Sequence, residues 1–290
     1  MAFAERGWTG IGIPEITAHY RAQAGRRLSR SSRRHAERML TRALLEAGAR
    51  VVAVERDPEL AAGLRARFGG EVAVVEADAL AWPVPEEPFA VVANLPFAGS
   101  GAILSRLLRG PLTRAVVIVE WAFAQKQSAV SPTTLKSAHW RAFYDIELAR
   151  RLDRTAFAPP PAVDAAVLRF VRREEPLVPT AESQRYWQFL ARAFEAGTEV
   201  RRSVLTPLQA KRLAPTLGFR PTARPRDLDA RQWAEVYESC RGKASGVRWR
   251  KRPMTVDDPL STDAKPAPHQ APAFADPRRG TGRRRSPRAG

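Results

Sequence analysis

The sequence predicts an α/β fold: an open, mostly parallel sheet, then a small α-helical domain and a disordered basic tail. Short apolar runs at Val51–Val54, Val72–Val75 and Phe89–Ala93 alternate with stretches of helical period, the pattern of βαβ units. Each run leads at its carboxyl end to a polar side chain, Glu55, Asp78 and Asn94 in turn, and ligands of open α/β sheets sit at that edge. After Pro176 the apolar residues take helical spacing only.

Composition narrows the function classes. The 290 residues are 44% hydrophobic, enough for one large domain or two modest ones. No apolar run is long enough to cross a membrane, and the start of the chain lacks the apolar core of a secretory signal. A single cysteine, Cys240, excludes an internal disulfide and a thiolate metal site. A metal-free cytoplasmic protein is expected. The net charge is +18, which points to a polyanionic partner. It is concentrated at the ends: 13 Lys/Arg against 4 Asp/Glu from Arg241 onward, and 8 against 3 in residues 1–40.

Residues 1–38 are atypical. Arg26, Arg27, Arg30, Arg33, Arg34 and Arg38 crowd a stretch without a sustained apolar period. Gly7-Trp8-Thr9-Gly10-Ile11-Gly12 faintly has the look of a nucleotide loop, but no strand is read before it, and it is taken as irregular surface. From Met39 a helical face forms with Leu40, Ala43, Leu44 and Leu45, stopped by Gly48. The Val51 run is a strand, and Pro58 opens a helix through Phe68 that ends at Gly69-Gly70. The Val72 run and, after Pro83, Pro85 and Pro88, the Phe89 run are the next strands. Ile103, Leu104, Leu107 and Leu108 mark a helix, and Ala115–Val119 and Ala165–Val171 are further strands. Between these two lie a Ser/Thr-rich loop, 128–134, and an aromatic stretch with Trp140, Phe143 and Tyr144. Phe157-Ala-Pro-Pro-Pro-Ala-Val163-Asp164 is extended, because proline excludes the helix there. In the helical region Tyr186, Phe189, Leu190 and Phe194 share a face. Val204, Leu205, Leu208 and Leu213 share a second, and Leu228, Trp233, Val236 and Tyr237 a third. From Gly242 the chain is rich in Pro, Arg and Ala and is read as a disordered basic tail.

Asn94-Leu95-Pro96-Phe97 is the stretch around which the rest is organised. The Asn94 amide carries an acceptor oxygen and two donor hydrogens. Pro96 lacks an N–H and fixes φ, so that its carbonyl and that of Leu95 are expected to point outward. Phe97 offers a flat face for a base turned out of its helix. An ordinary turn, with Asn94 as a cap and Phe97 in the core, is the competing reading. Glu55 suits a pair of ribose hydroxyls, although it also suits a helix-start acid before Pro58. Asp78 suits the amino group of an adenine ring. The three strand ends together point to an adenosyl cofactor lying across the sheet.

Five motifs in order carry a family resemblance: Val-Ala-Val-Glu55-Arg-Asp-Pro58, Val-Val-Glu-Ala-Asp78, Val-Ala-Asn94-Leu-Pro-Phe97, Phe157-x-Pro-x-Pro-x-Val163-Asp164 and Asp227-Leu-x-x-x-Gln-Trp233. Over roughly 39–237 the chain resembles the S-adenosylmethionine-dependent rRNA adenine N6-dimethyltransferases, most closely the Erm macrolide-resistance branch. The resemblance implies a Rossmann-like methyltransferase sheet at 39–175, a helical RNA-binding domain at 176–240 and a basic tail at 241–290. It implies S-adenosyl-L-methionine as cofactor, 23S rRNA as partner and a monomer that needs no metal or membrane. Glu55 would hold the cofactor ribose and Asp78 its adenine. Asn94 would bridge the methionine end and the target amine, the Leu95 carbonyl would accept from that amine, and Phe97 would stack on the target base. A small-subunit rRNA dimethyladenosine transferase and a catalytically silent RNA-binding homologue are the alternatives.

One departure stands out. The family has a strand and a Glu-x-Gly-x-Gly-x-Gly loop about 20 residues before the ribose acid. Here Ser31-Ser-Arg-Arg-His-Ala-Glu-Arg38 stands in that place, and no glycine lies between Arg26 and Arg42. The backbone cannot approach a ligand there as a glycine loop does. A reading-frame discontinuity or decay of the site would each produce this.

Overall fold

The computed structural model describes residues 2–5, 40–157 and 160–241. The 242–290 tail and the Gly7–Gly12 segment lie outside the described residues. Strands β1 (Ala2–Glu5), β2 (Arg50–Glu55), β3 (Val72–Glu76), β4 (Phe89–Asn94), β5 (Leu112–Glu120), β6 (Tyr144–Leu152) and β7 (Ala165–Arg172) form one sheet in the order β3-β2-β1-β4-β5-β7-β6. β2 pairs with β3 and β4 with β5 in parallel, whereas β7 is antiparallel to β5 and β6. Five strands share one direction, so the carboxyl ends of β3, β2, β4 and β5 lie along one edge.

Both faces of the sheet are covered, which is why its inner strands read as continuous apolar runs. Successive side chains point to opposite sides. Val51, Ala53, Val92, Val116 and Ile118 join a cluster with Leu40 and Leu44 of α1 (40–46) and with Leu64 and Phe68 of α2 (Pro58–Phe68). Val52, Val54, Val91, Val117 and Val119 face α3 (Ser100–Leu107), and with it Ala124 of α4 (Trp121–Ser128) and Trp140 of α5 (Leu135–Phe143). This second cluster continues without a break into α6 (Ser183–Ala196), the short α7 (Val200–Ser203), α8 (Pro207–Leu217) and α9 (Ala230–Arg241). Trp233 is fully buried and donates its indole N–H to the Pro225 carbonyl at 3.1 Å. The Tyr237 hydroxyl donates to Glu182, tying α9 to the start of α6.

Three features differ from the sequence expectation. The central position of the sheet is filled by Ala2–Glu5, inside the atypical segment and just before Gly7–Gly12, where no strand was expected, and this strand is antiparallel to both β2 and β4. Four residues with alternate alanines give no periodic signal of their own. The aromatic stretch after Trp140 becomes the edge strand β6, whose Asp145, Glu147 and Arg151 point to solvent. Leu208, expected on a buried face, is 76% exposed. α8 buries Ala210 and Ala214 instead, and at ~100° per residue Leu208 falls about 200° around the helix from Ala210.

Candidate active site

The three acceptors chosen from the sequence stand on the same edge. Glu55 ends β2 and is half-buried. It does not start the helix: Asp57 does, its Oδ1 accepting the N–H groups of Glu59 at 2.9 Å and Leu60 at 3.3 Å. Glu55 Oε1 accepts from the Asp57 N–H at 2.8 Å, which fixes the carboxylate and leaves Oε2 for a ligand. Asp78 lies two residues beyond β3, where the Ala77 N–H continues the ladder to the Glu55 carbonyl at 3.0 Å. Its Oδ1 closes a turn with the Leu80 N–H at 2.8 Å, and Oδ2 lies 3.6 Å from Arg56. That ion pair is largely exposed and is easily exchanged for a ligand. Each acid thus has one carboxylate oxygen without a hydrogen bond among the described residues, an acceptor set that fits ribose hydroxyls and an exocyclic amine.

Asn94 is exposed at the end of β4, level with Ile118 of β5. Its side-chain amide has no hydrogen-bond partner among the described residues. Leu95 is buried and donates its N–H to the Ile118 carbonyl at 3.0 Å, which anchors the turn on β5. The Pro96 carbonyl does not point outward as expected. It accepts from the Gly99 N–H and from Ser100 Oγ, each at 2.9 Å, closing the turn that leads into α3. Of the two carbonyls, that of Leu95 has no hydrogen-bond partner among the described residues. Phe97 is half-buried and packs on the cluster that holds Ile118, Leu152, Ala165 and Val167.

Sequence reasoning gave no site role to Phe157, which packs on this same cluster. Its run of prolines was the available signal, since an extended segment ending at β7 must arrive at the β5 carboxyl end. Asp164 ties that segment down. Its carboxylate accepts from Arg151 Nε at 3.0 Å and from the Arg154 N–H at 3.2 Å, and its carbonyl accepts from the Trp121 N–H at 2.9 Å. The hydrogen bond from Arg151 holds the Asp164 carboxyl below the usual carboxylate range. The same guanidinium lies 4.8 Å over the Trp121 ring. Among the described residues no group of His, Cys, Asp and Glu is placed to hold a metal, and no helix is long and apolar enough to span a membrane.

The carboxyl end of β1 lies at the opposite edge, with Glu5 opposite Arg50 and Phe89. The side chains present fit the adenosyl half of S-adenosylmethionine.

The chain is similar to known proteins over most of this body. It is 31% identical over 227 residues to the mycinamicin-resistance protein MyrB of Micromonospora griseorubida, covering 75% of this chain and 73% of MyrB. It is 32% identical over 220 residues to ribosomal RNA small subunit methyltransferase A of Synechococcus sp. (strain JA-3-3Ab), covering 69% and 76%. Three other relatives, each an rRNA adenine N-6-methyltransferase, are spanned over only 51–63% of their length. The crystal structure of the 23S rRNA methyltransferase ErmE superposes with a TM-score of 0.59 at 28% identity, covering 66% of this chain and 81% of that one. A family model described as ribosomal RNA adenine dimethylase matches residues 37–239, which takes in Glu55, Asp78, the Asn94–Phe97 turn and the helices through α9. The chain belongs to the ribosomal RNA adenine dimethylase family.

Proposed function

We propose that this chain is built as an S-adenosylmethionine-dependent 23S rRNA adenine N6-methyltransferase whose product protects the ribosome from macrolide-type antibiotics. The observation that carries this reading is the Asn94 amide beside the Leu95 carbonyl, both without a hydrogen-bond partner among the described residues, on the edge that also holds Glu55 and Asp78. Catalytic roles fall to Asn94, Leu95 and Phe97, with Pro96 as the turn that sets their geometry. Cofactor contacts fall to Glu55, Asp78 and Asn94.

An adenine amine is a poor nucleophile because its lone pair is delocalised into the ring. Two acceptors placed at Asn94 Oδ1 and the Leu95 oxygen draw the amine hydrogens toward the protein and localise that lone pair. S-adenosylmethionine supplies an electrophilic methyl group on a sulfonium. The residues contribute positioning and electrostatics, with no covalent intermediate. Phe97 holds the extruded base by its face, which restricts the substrate to unpaired or flipped adenosines. A monomeric cytoplasmic protein with 23S rRNA as its partner belongs to the same reading, as does the division into a catalytic body, a helical RNA-binding part and a basic tail.

The test is methyl transfer from labelled S-adenosylmethionine to protein-free 23S and 16S rRNA, with the modified base mapped by mass spectrometry. Label on N6 of a 23S adenine supports the reading. Label confined to 16S rRNA would make the chain a small-subunit enzyme. RNA binding without label would make it a silent homologue.

A further inference from the structure

Arginines of the sheet body are matched by carboxylates: Arg65 with Glu76, Arg169 with Glu147 and Arg173 with Asp145. The helical part departs from that balance. Residues 200–226 hold seven Lys/Arg and no Asp or Glu, and all seven cations are exposed. Five of them stand on two pieces of chain that the backbone ties together. The Val200 N–H donates to the Ala223 carbonyl at 2.8 Å, which lays α7 beside the turn that the Ala223 N–H closes on the Arg220 carbonyl. Val200, Ala223 and Pro225 are buried, and the Pro225 carbonyl receives the Trp233 indole N–H, so the chain beneath these cations is anchored in the core.

Arg201 donates from Nε to Glu199 at 2.6 Å, and Arg202 Nε lies 3.3 Å from the same oxygen. The hydrogen bond from Arg201, with the charges of Arg201, Arg202 and Arg224, holds the Glu199 carboxyl below the usual carboxylate range. One carboxylate thus stands among three guanidiniums, and the group keeps an excess of positive charge. A guanidinium held through Nε still presents its terminal nitrogens, the fork that fits a phosphate. Arg220 and Arg226, on the adjoining turn, make no ion pair among the described residues. The geometry points to a second RNA contact, separate from the strand-end site. Arg201, Arg202 and Arg224, flanked by Arg220 and Arg226, bind backbone phosphates of the ribosomal RNA substrate without reading its sequence. This rests on the rRNA methyltransferase reading and adds the face by which the helical part holds that substrate.

The experiment compares the full chain with a variant in which Arg201, Arg202 and Arg224 are each changed to Gln. The control changes Arg42, Arg65 and Arg169 to Gln, which removes the same charge from positions paired with Glu46, Glu76 and Glu147. Filter binding of protein-free 23S rRNA is measured from low to moderate salt, methyl transfer gives kcat and KM, and thermal melts check folding. The site variant is expected to bind about tenfold more weakly, with the slope of log affinity against log salt reduced by about 2–3. Its KM should rise while kcat stays within about threefold, and the control should lose less than about threefold in affinity. A second variant, Arg220→Gln with Arg226→Gln, disturbs no ion pair and should reduce the slope by about 1–2. A folded site variant with unchanged affinity and slope, or a control that weakens binding as much, overturns the inference, while methyl transfer by the parent chain keeps the methyltransferase reading. Unchanged RNA affinity with loss of binding to phosphatidylglycerol vesicles would make the face a membrane contact and also overturns it. A parent chain that neither binds nor methylates 23S rRNA overturns both readings.

Discussion

At the scale of single residues, the Asn94 turn separates two jobs that adjacent positions perform. The Pro96 carbonyl and Ser100 are consumed in closing the turn, while the Asn94 amide and the Leu95 oxygen have no hydrogen-bond partner among the described residues, as the proposed substrate contact requires. Asn94→Ala is expected to lower the rate of methyl transfer about 100-fold or more with RNA affinity retained, since groups aimed at the reacting atom act on the rate. Parallel rate and filter-binding measurements check this, and an equal loss of affinity would make Asn94 structural. Phe97→Leu keeps apolar bulk against Ile118 and removes the flat face. Stacking on a base contributes about 1–3 kcal/mol, so activity on RNA should fall about tenfold with little change in melting temperature. A melting temperature that falls along with activity would assign Phe97 to the core. That Glu55, Asp78 and Asn94 stand along one edge was legible in the sequence, because each closely follows a valine-rich run and those runs lie parallel in one sheet. The engaged Pro96 carbonyl was not, because its partners Gly99 and Ser100 are set by how the chain turns into α3.

At the scale of elements, legibility followed burial. β2, β4 and β5 are covered on both faces and announce themselves as Val-rich runs, and α2 is framed by Asp57-Pro58 and Gly69. β6 is an edge strand with a polar outer side, and β1 is four residues long, so neither carries a period that outweighs its surroundings. The junction of α5 and α6 holds a group with a measurable consequence. His139 is buried among Phe143, Tyr186 and Trp187, with Nε2 3.2 Å from the Ser183 carbonyl and 3.0 Å from its hydroxyl, and Nδ1 has no hydrogen-bond partner among the described residues. Burial pushes its pKa down from 6.5 to about 4. The unfolded chain therefore binds the proton first as pH falls, so stability is complete above about pH 6.5 and is lost between there and pH 4. The loss attributable to this residue is about 3 kcal/mol at the acid end. Urea unfolding at pH 7 and pH 4.5 should show it, and His139→Phe should flatten the difference. An unchanged pH slope in that variant would remove His139 as the cause.

For the whole molecule, charge and core are distributed differently. The apolar cluster runs from Val52 in the sheet to Tyr237 in α9, so sheet and helices should unfold in one transition. Residues 242–290 hold 12 Lys/Arg against 4 Asp/Glu. Deleting them is expected to leave the melting temperature unchanged, weaken RNA binding and reduce the slope of log affinity against log salt, because fewer counterions are released. Binding measured from low to moderate salt checks this, and an unchanged slope would mean that the tail makes no phosphate contacts. The β1 strand bears finally on the order in which the molecule assembles. Ala2 meets Ala53 and Val92, so its two ladders close chain loops of about 50 and 90 residues, whereas β2 meets β3 across a single helix. Such distant pairings form late. The sheet should mature as two separate halves, β3-β2 and β4-β5, that are sewn together at the end by the strand between them.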